Sequence, residues 1–143
     1  MINHKHQLIF IHINKCGGTT VESIFPGSKF PLGRHGDASM YMLNSPNEFN
    51  SYFKFTSVRN PWDKTVSFYS YHVKRRWDLN WDWNETNAPT FTEFLKITSS
   101  YTRQKQESIF QNTISPCTYS KRMSSQLDWI TDESGNIIVD FIM

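Results

Sequence analysis

A lysine, a cysteine, two glycines and two threonines follow one asparagine in a short run, Asn14-Lys15-Cys16-Gly17-Gly18-Thr19-Thr20. These residue types suit an anion of the phosphate or sulfate kind. Glycines let a ligand approach backbone N–H groups closely. Lys15 adds a full positive charge, and the hydroxyls of Thr19 and Thr20 add donors. If the run joins a strand to a helix, the helix N-terminus contributes unpaired N–H groups and a dipole that favours negative charge. The run is not a Walker A loop, which needs Gly, four residues, Gly, Lys, then Ser or Thr. Here the lysine precedes the glycines, so an ordinary P-loop ATPase or GTPase is disfavoured. A tight strand-to-helix turn with a surface lysine fits the same residues.

A second group begins at Arg59-Asn60-Pro61 and includes Ser67. An Arg at the C-terminal edge of a strand faces the crevice where open α/β sheets bind ligands. Its planar fork matches a phosphate, and Ser67 offers a hydroxyl. A capped helix with a solvated Arg is the other reading. Between the two groups lies Gly33-Arg34-His35-Gly36-Asp37. His35 is the candidate general base and Asp37 the second candidate, with an exposed loop histidine as the alternative. His12 falls in an apolar strand and reads as a hydrogen-bonded core residue. His72 reads as a helix-surface residue, and His4 and His6 as part of a frayed N-terminus.

The elements that must position these residues follow from hydrophobic spacing. Leu8–Ile13 is nearly all apolar and rich in β-branched residues, as in a strand buried on both faces. Val21, Ile24 and Phe25 then recur at helical spacing, until Pro26-Gly27 stops the helix. Residues 27–51 are turn-rich, with a weak helical stretch over Ala38–Leu43. Tyr52–Val58 reads as a second strand. Asn60 caps the next helix, Pro61 suits its first position, and Trp62, Val66, Tyr69 and Val73 form one apolar face out to about Arg76. A loop follows with Trp77, Trp81 and Trp83, near Lys74, Arg75 and Arg76. Those tryptophans are either a stacking surface for a sugar or packing residues. Phe91–Ile97 reads as a short helix, and Ser99–Cys117 is ambiguous. Trp129–Ile142 reads as a β-hairpin or a loop feeding a last strand.

Length and composition bound the answer. A chain of 143 residues fits one domain, residues 1–143, with a single core. A net charge of +2 lacks the basic excess of a nucleic-acid binder, so none is expected as partner. Cys16 and Cys117 form no CxxC pair and no metal-ligand spacing, so no metal site is expected and the thiols are read as reduced. No apolar run approaches the roughly 20 residues of a membrane span. Leu8–Ile13 is too short for a signal-peptide core and lacks a cleavage site. The expectation is a soluble cytoplasmic protein. The chain stops within the apolar run Ile137–Met143, which leads us to expect a C-terminally incomplete domain.

Taken together, "IFIHINKCGGTT" and "FKFTSVRNPWDKTVSFY" closely resemble the sulfotransferase family. The first is similar to its 5′-phosphosulfate loop, His-x-Pro-Lys-Thr-Gly-Gly-Thr-Ser. The second is similar to its 3′-phosphate motif, Arg-Asn-Pro-Trp/Tyr-Asp-Arg-x-x-Ser. The stretch "DWITDESGNIIVDFI" resembles the family's late strand more weakly. The resemblance is nearest to the Golgi-type and bacterial branch that often acts on carbohydrates. It implies an α/β, three-layer P-loop-NTPase-like fold with a central parallel sheet. It also implies 3′-phosphoadenosine-5′-phosphosulfate as donor, adenosine-3′,5′-bisphosphate as product, a hydroxyl acceptor on a carbohydrate, and no metal. Lys15 would contact the 5′-phosphate and bridging oxygen, and Cys16, Gly17, Gly18, Thr19 and Thr20 would complete the cradle. Arg59 and Ser67 would bind the 3′-phosphate, with Lys121 and Arg122 as possible additions. Lys15 and His35 would carry the catalysis. Asn14, Cys16, Thr20 and Lys64 depart from the usual proline, threonine, serine and arginine, and none removes a principal ligand. Family members also continue past the last strand with a Glu-Asn segment and further helices. The rival readings are a nucleotide-dependent kinase and a non-catalytic remnant that binds the donor nucleotide.

Overall fold

The computed structural model describes residues 1–75, 88–99 and 125–143. They fall into two compact units, Met1–Val58 with Asn112–Met143, and Arg59–Gln111. The Trp77, Trp81 and Trp83 loop with Arg76, the stretch 100–117 with Cys117, and Lys121 and Arg122 lie outside the described residues. So do the side chains of His72, Val73, Lys74 and Arg75. Among the described residues no helix is long and apolar enough to cross a membrane.

The first unit is built on a four-stranded sheet in the order β1 (Ile2–Asn3), β2 (Leu8–Ile11), β3 (Phe53–Thr56), β4 (Phe141–Ile142). Strands β2, β3 and β4 run parallel, with Ile9 opposite Lys54, Ile11 opposite Thr56, and Phe55 opposite Phe141. The expected parallel sheet is therefore present, with one correction: β1 is antiparallel to β2, pairing Ile2 with Ile9. The N-terminus is accordingly not frayed. Ile2 and Lys29 exchange two backbone hydrogen bonds, and the Met1 amine donates to the Phe10 carbonyl and the Tyr41 hydroxyl. His4 Nδ1 lies 3.0 Å from the Tyr52 hydroxyl, and the His6 ring meets the edge of Phe25.

Strand β2 is covered on both faces, as its apolar run requires. Ile9, Ile11 and Ile13 pack with Ala38 and Tyr41 of α2 (Ala38–Asn44), Phe49 of α3 (Pro46–Ser51) and Trp129. Leu8 and Phe10 point the other way and pack with Val21 of α1 (Gly18–Ile24), Met1 and Phe55. Ile24, expected on the inner face of α1, is instead exposed. Phe25 at the helix end takes its place, because positions 18, 21, 22 and 25 are the ones that share a face.

Helix α3 was not legible in the turn-rich segment. Ser45 ends α2 and starts α3, so two helices of six or seven residues run on with no loop between them. Neither is long enough to display a period. Near the C-terminus, Leu127–Trp129 forms a 3-10 turn. The expected hairpin shrinks to one antiparallel bridge, Thr131 with Ile137, around a turn in which Asp132 Oδ1 accepts from Ser134 and Asn136. The final strand is limited to Phe141–Ile142, and both side chains are exposed rather than buried.

In the second unit, α4 (Pro61–Arg75) begins as its sequence predicts, with Asn60 Oδ1 accepting from the Trp62 N–H at 2.9 Å. Its buried face differs from the expected one. Trp62 is 79% exposed and Val66 is also exposed, whereas Lys64 and Phe68 are buried. The partner decides this. Helix α5 (Phe91–Ser99), started by a Thr90–Glu93 capping box, brings Phe94 against Phe68 and Tyr69. Tyr69 keeps its expected inward role and donates to the Pro89 carbonyl.

Phe10 is fully buried at the centre of the β2–α1 side, and Leu43 is 76% exposed. Phe10→Ala is expected to cost about 3–5 kcal/mol in urea denaturation. Leu43→Ala is expected to stay within about 0.5 kcal/mol of the parent.

A candidate anion-binding loop and its histidines

The candidate site grows from the exit of β2. His12, Ile13 and Asn14 remain buried beyond the strand's last paired residue. The chain then turns through Lys15, in the left-handed region at φ 62°, and Gly17, at φ 80°. A non-glycine residue in that region carries strain of about 1–2 kcal/mol. Neighbouring hydroxyls brace the turn. Ser57 Oγ donates to the Cys16 carbonyl at 2.6 Å, and Thr56 Oγ1 donates to the Ile11 carbonyl at 2.8 Å.

The two glycines serve different needs. Gly17 supplies the positive φ and is exposed, with nothing near the position a side chain would take. Gly18 is required by packing. A Cβ there would lie 2.0 Å from Cδ2 and 2.2 Å from Nε2 of His12. The imidazole thus occupies the space a side chain would need, at the first residue of α1.

Helix α1 starts with no side-chain cap and no acidic residue in its first turn. The N–H groups of Gly18 and Thr19 precede its first internal bond, made by Thr20 N–H to the Gly17 carbonyl at 3.0 Å, and the Thr19 and Thr20 side chains are exposed beside them. This is what an anion-accepting helix start needs. Lys15 is half-buried. The Cys16 thiol turns into the core, 3.1 Å from Gln126 Oε1. Asn14 is buried, and its Oδ1 has no hydrogen-bond partner.

His12 faces α1 because it shares a side of β2 with Leu8 and Phe10. There it meets Glu22, and its Nδ1–H donates to Glu22 Oε1 at 2.6 Å. Its expected role as a hydrogen-bonded core histidine holds. Burial pushes its pKa below the ordinary 6.5, against the opposing hydrogen bond and charge of Glu22. The neutral ring therefore carries its proton on Nδ1. Glu22 was missed from the sequence. The available signal was its place on the inward face of α1, with Gly18, Val21 and Phe25.

His35 sits on the other side of this pair. Its Nδ1 lies 3.2 Å from the His12 carbonyl, and the two rings meet edge to face at 4.5 Å. A carbonyl only accepts, so Nδ1 of the neutral ring donates and Nε2 holds the lone pair. That is the tautomer of a general base. Trp129 flanks the ring at 6.5 Å. Asp37, the second candidate base, is buried and caps α2 by accepting from the Met40 N–H at 2.7 Å. Its carboxylate serves the helix start, a local structural task that the sequence reading did not give it.

Gly18 and His35 therefore both meet His12. Arg59 and Ser67 belong to the second unit. Arg59 is exposed just before the Asn60 cap, and Ser67 is half-buried on α4, one turn beyond Lys64. Among the described residues no cluster of three His, Cys, Asp or Glu side chains is arranged to hold a metal.

Comparison with known proteins adds one finding. The model of a family described as the sulfotransferase family matches residues 1–133. No curated protein and no solved structure matches the chain.

Two outcomes follow from the geometry. Gly18→Ala should destabilise the fold by about 1–3 kcal/mol through overpacking, and adding His12→Ala should recover part of that loss in a double-mutant cycle. The pH dependence follows from His12. Its lowered folded pKa means that the unfolded chain binds more protons as pH falls below about 6.5. Its contribution is full above that pH and is lost as pH falls toward the folded value. The buried Met1 amine, pushed down to about 5, acts with the same sign over its own range. Urea midpoints should therefore fall between about pH 7.5 and pH 5, and less steeply in His12→Asn.

Proposed function

Because this chain belongs to the sulfotransferase family, we propose that it transfers a sulfuryl group from 3′-phosphoadenosine-5′-phosphosulfate to a hydroxyl, on a carbohydrate. The observation that carries the reading is the uncapped start of α1 behind Lys15, Gly17 and Gly18. A mostly parallel sheet with helices packed on both faces of β2 supports the three-layer, P-loop-NTPase-like architecture implied by the family.

In this reading the backbone of residues 16–20 and the hydroxyls of Thr19 and Thr20 hold the 5′-phosphosulfate. Lys15 sits on the 5′-phosphate and bridging oxygen. Arg59 and Ser67 take the 3′-phosphate, the group that distinguishes this donor from ATP. The acceptor oxygen attacks sulfur in line. A new O–S bond forms as the bond from sulfur to the bridging oxygen breaks. The electron pair leaves on the 5′-phosphate, where Lys15 stabilises the developing charge. The acceptor proton passes to Nε2 of His35, the nitrogen left as acceptor by the bond from Nδ1 to the His12 carbonyl. The lysine ammonium and the helix start supply the charge stabilisation, so these residues call for no metal.

Calorimetric titration with adenosine-3′,5′-bisphosphate tests the donor site, with ATP-magnesium and 5′-AMP as controls. The bisphosphate alone should bind tightly. Arg59→Ala should weaken it roughly ten- to hundredfold, the equivalent of one charge-assisted hydrogen bond. Preference for ATP-magnesium would overturn the donor assignment. Lys15→Ala should abolish transfer. His35→Ala should slow transfer by about 10²–10⁴-fold while leaving bisphosphate affinity within about twofold.

A further inference from the structure

We propose that Glu22 and His12 are positioning residues that hold His35 in the tautomer and orientation of a base. This rests on the reading of His35 as the base and adds to it two residues from other elements. Glu22 lies on α1, His12 at the end of β2, and His35 in the loop before α2. No sequence motif joins them.

Three contacts meet at this point. Glu22 Oε1 accepts from Nδ1 of His12 at 2.6 Å, which fixes the plane of the ring. The His12 carbonyl accepts from His35, and the His12 ring packs edge to face against the His35 ring. Arg34, the residue next to His35, brings Nε to 3.7 Å from Glu22 Oε2. One carboxylate therefore restrains both ends of a two-residue segment, through His12 on one side and Arg34 on the other. The Arg34 contact is long and its side chain is 62% exposed, so it restrains orientation more than it stabilises.

Glu22 is poorly explained as a stabilising residue. Its side chain is buried, and Oε2 has no hydrogen-bond partner. Packing alone would favour an apolar side chain of the same volume on the inward face of α1. A carboxylate is needed there only if something must be held through a hydrogen bond, and what it holds is the ring that touches both Gly18 and His35. The other groups acting on His12 are Arg34 and the Met1 amine, and neither is negative, so among the described residues Glu22 is the sole negative group acting on this ring.

The test is the state of the His35 ring in the full chain, labelled with ¹⁵N-histidine and assigned with His35→Asn. In the parent, neutral His35 should be Nδ1–H. Glu22→Ala should convert it largely to Nε2–H, and Glu22→Gln, whose Oε1 still accepts from His12, should restore Nδ1–H. Should Glu22→Ala fail to fold, Glu22→Leu fills the same volume and carries the same test. Donor consumption with a panel of mono- and disaccharides should fall about tenfold or more in Glu22→Ala or Glu22→Leu, a part of the 10²–10⁴ a positioned base supplies. Affinity for adenosine-3′,5′-bisphosphate should stay within about twofold of the parent. An unchanged Nδ1–H form in both variants, or affinity falling in parallel with turnover, would overturn the positioning role. Full turnover in His35→Ala would overturn the base itself, a result separable from the first because the tautomer is read without activity.

Discussion

Alternation along β2 is the constraint on which the first unit depends. Six residues from Leu8 to Ile13 are buried on two faces, and each side chain must choose a side. Ile9, Ile11 and Ile13 go to the α2, α3 and Trp129 core, and Leu8 and Phe10 go to the α1 core. The period of two then leaves His12 no alternative to the α1 side. A one-residue slip in register would send the imidazole into the isoleucine core and remove it from Glu22 and Gly18. The candidate loop inherits its shape from this choice. The ring on Gly18 sets how closely α1 approaches the sheet, and so where the helix's leading N–H groups point.

Electrostatics at the loop follow from what is left out. Helix α1 lacks a capping side chain and an acidic first turn. Among the described residues three other helix starts are closed by side chains, while α3 starts on Ser45 without a side-chain cap. Asp37 caps α2, Asn60 caps α4, and Thr90 with Glu93 caps α5. Each spends a local oxygen on its own N–H groups. The carboxylate of α1 is instead at Glu22, facing the sheet and bonded to His12. The first turn of α1 therefore carries no acid of its own, while Glu22 at its far end is used on the histidine.

The Asn60 cap was read correctly because it is local. Asn60-Pro61 needs only its own backbone and the next three residues to start a helix. The face that α4 buries is not local. Trp62, Val66, Tyr69 and Val73 satisfy helical periodicity, yet Trp62 and Val66 are exposed while Lys64 and Phe68 are inside. Phe94, twenty-six residues beyond Phe68 in the sequence, determines which ridge is covered. Hydrophobic spacing identifies a helix well and identifies its buried face only when no second aromatic helix competes for it.

The sequence by itself determined the strand, the turn and the helix around residues 8–24, the helix start at Asn60, the short helix from Phe91, and the residue types that suit an anion, because each depends on bonds within a few positions of the chain. It also carried the two motifs from which the family is legible. Tertiary structure alone decided that β1 joins the sheet antiparallel, that Cys16 faces the core, and that Gly18 is a packing glycine. It alone brought Glu22, His12 and His35 together from a helix, a strand and a loop. Those contacts join residues whose separation in the chain carries no signal. They exist because two layers of helices close on the same short strand from opposite sides.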